Sequence, residues 1–384
     1  MASLFQTLFY RDIMFDPSLT SDQLRSQWIA PSDVFSILLI LGDVVVRALA
    51  QLAGGVLTPV AFSFGWVTYA ISALGQDRLM LQDGDTPCKI INGRSGYIRE
   101  NTSWVLGRLM RDFKHWRDRR IDHSFLIEKD PAAPRPSQAG LVVSVYKPSE
   151  SRPGVFVLAF QLGIAAIPLG LFGDWGILMI TGAGIILSLV TGSLPAWTRE
   201  KWPCRKKAEQ GYILTGGNGS QHAIIILGNG HGLNLEDLAA GQRHLEVDQD
   251  LLTRAALFVL ALLWILLLIT ASALTLNPWF LLAVGSLGML HKIYVSFHPR
   301  RPENFGVPLE FQDVIGEQKV MEALYKVEEL YPHFGRNMLP EFFPGKLRKE
   351  EEEKWAELEE KAEAAKRARK AKEKAQEHIT QVDT

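Results

Sequence analysis

Hydrophobic residues along the chain gather into six long runs separated by charged stretches. The runs come in three tight pairs: Val34–Ala53 with Val56–Leu74, Val155–Phe172 with Trp175–Trp197, and Ala255–Leu274 with Trp279–Phe297. Gly54-Gly55, Gly173-Asp174 and the stretch Thr275 to Pro278 form the joints. Each run approaches the roughly 20 apolar residues that a helix needs to cross a hydrocarbon core. A buried core helix would explain any one run, but six in paired spacing predict an α-helical polytopic membrane protein. The expected fold has six transmembrane helices in three hairpins, over residues 33–75, 154–197 and 255–297.

Between the hairpins the pattern changes. Residues 1–32, 76–153, 198–254 and 298–384 are polar enough to lie outside a membrane, and the two central loops predict a small mixed α/β part. Residues 211–240 read as strand, Asn218-Gly219 turn, strand, glycine loop and helix, with Asn234 placed to cap the helix. In 101–120, Val105, Leu106, Leu109, Met110, Phe113 and Trp116 fall on one helical arc, and Arg108, Arg111, Lys114, His115 and Arg119 on the rest. Such a helix suits contact with anionic lipid headgroups or packing on the protein's own α/β part. The tail predicts a charged helix over 346–378, acidic first and basic later in agreement with the helix dipole. Its seam of Trp355, Leu358, Ala362 and Ala365 is thin for a coiled coil and offers a surface for a protein partner.

Composition adds little until it is read by position. A formal charge of -1 and a mean hydropathy of +0.05 are averages over segregated classes. The three short joints contain no Lys or Arg, whereas residues 75–154 carry fourteen. The positive-inside rule therefore places both termini and the large loops in the cytosol. The basic residues do not form a separable domain of high pI, so nucleic acid is not an expected partner. Cys88 and Cys204 form no CxxC and no disulfide framework and read as reduced thiols. The start lacks a basic n-region and a long h-region, so no cleaved signal peptide is expected.

Candidate chemistry is sparse. Asp43 and Arg47 stand at i and i+4 within the first apolar run, and Ser36 and Gln51 extend them into a polar stripe. Such a stripe faces a bundle interior and is either a packing device or a solute path. Lys292, near the end of the last run, is placed to snorkel to an interface. The loop with Gly228, Gly230 and Gly232 has its third glycine misplaced for a dinucleotide fingerprint, and no GK[ST] follows. His222, His231 and His244 match no standard ligand spacing, so neither a metal nor another cofactor is expected. No HxxxH, DDxxD or complete phosphate loop is present. The leading expectation is a non-enzymatic scaffold or accessory protein binding partners through its cytosolic loops and tail. The alternatives are a small-solute or ion carrier using the Asp43/Arg47 stripe, and a membrane-embedded enzyme acting on a lipophilic substrate.

The stretches WIAPSDVFSILLILGDVV, TPVAFSFGWVTYAISAL, SWVLGRLMRD and GNGSQHAIIILG together resemble a family of multi-pass integral membrane proteins of filamentous fungi. The resemblance covers about residues 28 to 300. It implies a fungal integral membrane protein and carries over no catalytic or binding residue.

Overall fold

The computed structural model describes residues 42–52, 58, 60–76, 79, 84, 86–124, 140–149, 156–228, 230, 232–241, 251–274 and 278–364. In chain order the first elements are α1 (Gly42–Leu52), α2 (Gly65–Leu74), β1 (Lys89–Asn92) and β2 (Ile98–Glu100). Three short helices follow, α3 (Trp104–Arg111), α4 (Phe113–Trp116) and α5 (Arg119–Ser124), then β3 (Leu141–Pro148). The apolar helices α6 (Phe156–Phe172) and α7 (Gly176–Gly192) lead into α8 (Pro195–Lys201). Next come β4 (Lys206–Ala208), β5 (Tyr212–Thr215), β6 (His222–Ile226), β7 (Gly232–Leu233) and α9 (Leu235–Ala240). The long helices α10 (Leu251–Ser272) and α11 (Pro278–Phe297) precede β8 (Leu309–Glu317), α12 (Val320–Leu330) and α13 (Phe334–Phe342). A last helix, α14, covers 349–364.

The strands form a mixed six-stranded sheet in the order β2-β1-β5-β6-β3-β8, in which only β3 and β6 run parallel. Alternation along the strands gives the sheet two apolar faces. Val142, Tyr146, Leu214, Ile224 and Ile226 point to one core, shared with α3, α9 and the apolar helices. Leu141, Val143, Val145, Ile213 and Ile225 point to a second core, covered by α12, α13 and Trp355 of α14. Both faces are therefore buried, which explains why β3 and β6 read as continuous apolar runs.

The six-span expectation is overturned. Among the described residues two helices, α10 and α11, are long and apolar enough to cross a membrane, or three if α7 and α8, bent by 46°, count as one. Among the described residues, the helices in the other runs are shorter than a spanning length. Helix α6 stops at 17 residues and contains Pro168. Helix α2 has 10 residues, and the chain ahead of it at Val60–Ser63 is extended.

Helix α1 has 11 described residues and packs on α2 and on the last turn of α11. Ser296 Oγ donates to Val44 O (3.4 Å), Gln51 Nε2 donates to Val295 O (3.1 Å), and Arg47 stands 5.8 Å from the Phe297 ring. Val44 and Gln51 are about 10 Å apart along a helix, yet both meet the last turn of α11. Leu49 packs beside Gly192, the last residue of α7.

The segment from Thr58 to Leu74 enters the helical block and leaves at the same end. Thr58 faces Gly192, Ser188 Oγ donates to Val60 O (3.3 Å), and the Phe62 ring lies against Gly184. Each step of two extended residues, about 6.6 Å, matches four residues of α7, about 6 Å. The chain turns at Phe62–Phe64 and α2 climbs back, bringing Tyr69 to Trp197 (ring centres 6.0 Å apart). Leu79 N then donates to Glu200 Oε1 of α8 (2.9 Å).

Candidate functional site

The apex of this re-entrant segment is the most organised polar feature of the helical block. An extended backbone inside an apolar block must find hydrogen bonds outside itself. Gln161 of α6 supplies them: its Oε1 accepts from Phe62 N (3.1 Å), and its Nε2 donates to Phe62 O (2.9 Å) and Val284 O (3.2 Å). Gly184 and Gly288 let the segment approach α7 and α11, since a Cβ at either would overlap the Phe62 ring or carbonyl. Trp264 of α10 closes the side, stacking on Trp66 (5.7 Å, 4°) and Phe62 (6.1 Å, 10°).

One residue beyond Phe62, Ser63 Oγ accepts from Lys292 Nζ at 2.7 Å, and the same nitrogen stands 4.7 Å from the Trp66 ring centre. Lys292 is 1% exposed, so it points into the block and does not snorkel to an interface as expected from the sequence. The Ser63 oxygen and the Trp66 ring hold the amine beside the first turn of α2. A serine and a lysine at this distance are also the geometry of a nucleophile and its base. Ser63 is itself buried, however, and the pair lines neither of the two cavities described below. The bond ties α11 to the residue at the turn of the re-entrant segment.

The sequence-derived candidates are dispersed. Ser36 lies outside the described residues, as does the Asp43 side chain, so the Asp43–Arg47 pair is not described. Arg47 and Gln51 are placed at the end of α11, and the Gln51 carbonyl also accepts from Lys201 Nζ (2.9 Å). The basic segment 101–120 forms three short helices, broken at Asp112 and Arg117, and not one. Of its apolar arc, Val105, Leu106, Leu109 and Phe113 are buried against the protein, and Met110 and Trp116 are partly buried there. Arg108 is 1% exposed and donates to Ser296 O (2.7 Å), one of the carbonyls that the end of α11 leaves unpaired. Arg111 pairs with Asp112 (2.8 Å), Trp116 Nε1 donates to Leu109 O (3.0 Å), and Lys114 is exposed.

The glycine loop lines a cavity of about 140 Å³ together with Tyr212, Ile226 and Leu309. Gly228 packs on the Glu209 backbone and Gly230 N donates to Ala208 O (3.2 Å). Gly232 belongs to β7, paired with β4, so the loop is a sheet connection. Asn234 Oδ1 caps α9 by accepting from Glu236 N and Asp237 N. His231 and His244 lie outside the described residues, and among the described ones no group of three or more His, Cys, Asp or Glu could hold a metal ion.

Burial pushes the Cys88 thiol up to about 12 and the Cys204 thiol up to about 11. Only about one Cys204 in a thousand is then a thiolate at pH 8. Alkylation by iodoacetamide is expected to be slow at Cys204 and to reach Cys88 only on unfolding, which peptide mass spectrometry reads directly. Rapid labelling of Cys88 in the folded protein would contradict its burial.

Comparison with protein-family models, curated proteins and solved structures returns no match. The residues that sequence reasoning missed are Gln161 and Ser63. Their signal was present as a lone amide and a lone hydroxyl inside apolar runs, each of which must find a partner when buried.

Proposed function

We propose that the protein is a membrane-anchored scaffold: α10 and α11 cross the bilayer as a hairpin, the shorter apolar helices pack on them, and the α/β unit is the working surface on the cytosolic side. The observation that carries this reading is the apolar exterior of the helical block. Phe258, Leu266 and Ile269 of α10, Leu290 of α11, Leu171 of α6 and Ile186 of α7 are all more than half exposed. A contiguous apolar exterior of this kind marks a membrane or protein contact. The interior is occupied by the Gln161 clamp and the aromatic stack, which favours an anchor over a conduit. The protein is expected to stay in the membrane pellet in alkaline carbonate and to be released by dodecyl maltoside; release by carbonate alone overturns the membrane reading. A pull-down of the full chain from native membranes in mild detergent should retain a stoichiometric partner. Its absence removes the scaffold role.

A carrier is the second reading, and the specific observation favouring it is Lys292, an ionisable side chain at the apex of a re-entrant segment. The two readings separate at Lys292→Met. If the lysine only packs, replacing it with an apolar residue of similar length should change unfolding free energy by less than about 1 kcal/mol. Lys292→Ala, which adds a cavity, should cost about 3 kcal/mol. A carrier loses flux in proteoliposomes with Lys292→Met while keeping the native melting temperature.

A further inference from the structure

The second cavity is an open groove of about 660 Å³ between the end of α8 and the start of α9, within the size range of small-molecule sites. Three arginines, Arg99, Arg199 and Arg205, and two carboxylates, Glu236 and Asp237, line it with Trp202 and Cys204. Cations therefore outnumber anions by one. The carboxylates are already engaged. Asp237 accepts from Arg205 Nε (2.7 Å) and Nη2 (3.1 Å), and Glu236 Oε2 accepts from Asn92 Nδ2 (2.8 Å). Asp237 thus uses two of the five N–H groups of Arg205 and fixes the guanidinium plane.

On the membrane reading above, with α7 ending at the edge of the hydrocarbon core, the groove falls in the polar layer. Helix α8 is bent 46° from α7, so its seven residues advance about 7 Å along the α7 axis at 1.5 Å per residue. The polar layer beyond each face of a hydrocarbon core is about 5–8 Å deep. Trp202 at the rim is the residue type that gathers at that level. We infer that this groove binds a phosphate-bearing headgroup of a membrane phospholipid, with Arg199 and Arg205 as the phosphate ligands. Guanidinium forks suit phosphate oxygens because two parallel N–H donors meet two acceptors. The lipid source rests on the membrane reading above; the phosphate chemistry does not.

Cys204 lines the groove and reports its occupancy. The full chain in dodecyl maltoside is alkylated with iodoacetamide at pH 9, and the rate at Cys204 is followed by mass spectrometry. Phosphatidylglycerol in the micelles should slow the reaction about tenfold once it exceeds its Kd tenfold. In an R199A/R205A double variant the rate with lipid should match the rate without it. Arg205 and Asp237 form an exposed pair that contributes little to folding, so the variant should melt as the native protein does. Equal protection by millimolar glycerol 3-phosphate or inorganic phosphate would support the phosphate site and overturn the lipid source. No protection by any of the three, or protection unchanged in the double variant, overturns the site. The soluble arms need no bilayer, so their result is independent of the carbonate test.

Discussion

Replacing Gly288 by alanine is expected to lower the unfolding free energy by about 3 kcal/mol, at the upper end of what overpacking costs. The cause is local and severe. A Cβ at Gly288 would overlap the Phe62 carbonyl carbon and oxygen, which are backbone atoms, and would press on Gln161 Nε2. Backbone cannot swing aside as a flexible side chain can, so the re-entrant segment must lift off α11. That movement also breaks the Gln161 bonds to Phe62 and separates Phe62 from Trp264. Gly163→Ala and Gly182→Ala are the controls, since a Cβ at either has nothing within 4 Å. Each should leave stability unchanged or slightly raised, because alanine is the better helix former. Denaturant unfolding of the three variants in one detergent checks the ordering. A Gly288→Ala protein as stable as the controls would mean that the segment does not pass between α7 and α11.

How much of this was legible differs from element to element. Run length alone locates α10 and α11, whose apolar stretches coincide with single unbroken helices. The Asn218-Gly219 turn and the Asn234 cap signal mark the β5–β6–α9 unit, because both are local rules. The second run misleads for the opposite reason. Hydropathy counts apolar residues without asking where the backbone hydrogen bonds go, and at Phe62 they go to a glutamine about a hundred positions away. The puzzle of a charged Arg47 in a greasy stretch dissolves once α1 is seen to lie at the end of α11, where Arg47 meets Phe297. The basic arc of 101–120 is equally ambiguous in sequence. Nothing local says that Arg108 will be buried against Ser296, nearly two hundred residues on. The groove at Arg199 and Arg205 is assembled from β2, α8 and α9, and no motif joins them.

Gln161→Leu should be the most damaging substitution in the helical block that adds no bulk. Leucine fits the apolar surroundings and would be the choice of a pattern-based designer. It removes the acceptor for Phe62 N and the donor for Phe62 O in one step. Two buried backbone groups left unpaired cost about 1–3 kcal/mol each, so a loss of about 4 kcal/mol is expected. Val284 O also loses a donor, but as a carbonyl within α11 it keeps its place in the helix ladder. Gln161→Glu separates the two halves of the effect. It keeps an acceptor for Phe62 N, loses both amide donors, and sets a carboxylate against the Phe62 carbonyl, so it should be at least as unstable. The contrast with Lys292→Met is the physical content. The lysine bonds a side-chain hydroxyl, and its loss takes no partner from the backbone of the segment. A neutral amide that completes an extended backbone has no apolar substitute. Hydrogen exchange at the Phe62 amide provides the direct readout: fast in Gln161→Leu, native-like in Lys292→Met. Slow exchange in Gln161→Leu would show that the re-entrant backbone finds its hydrogen bonds elsewhere.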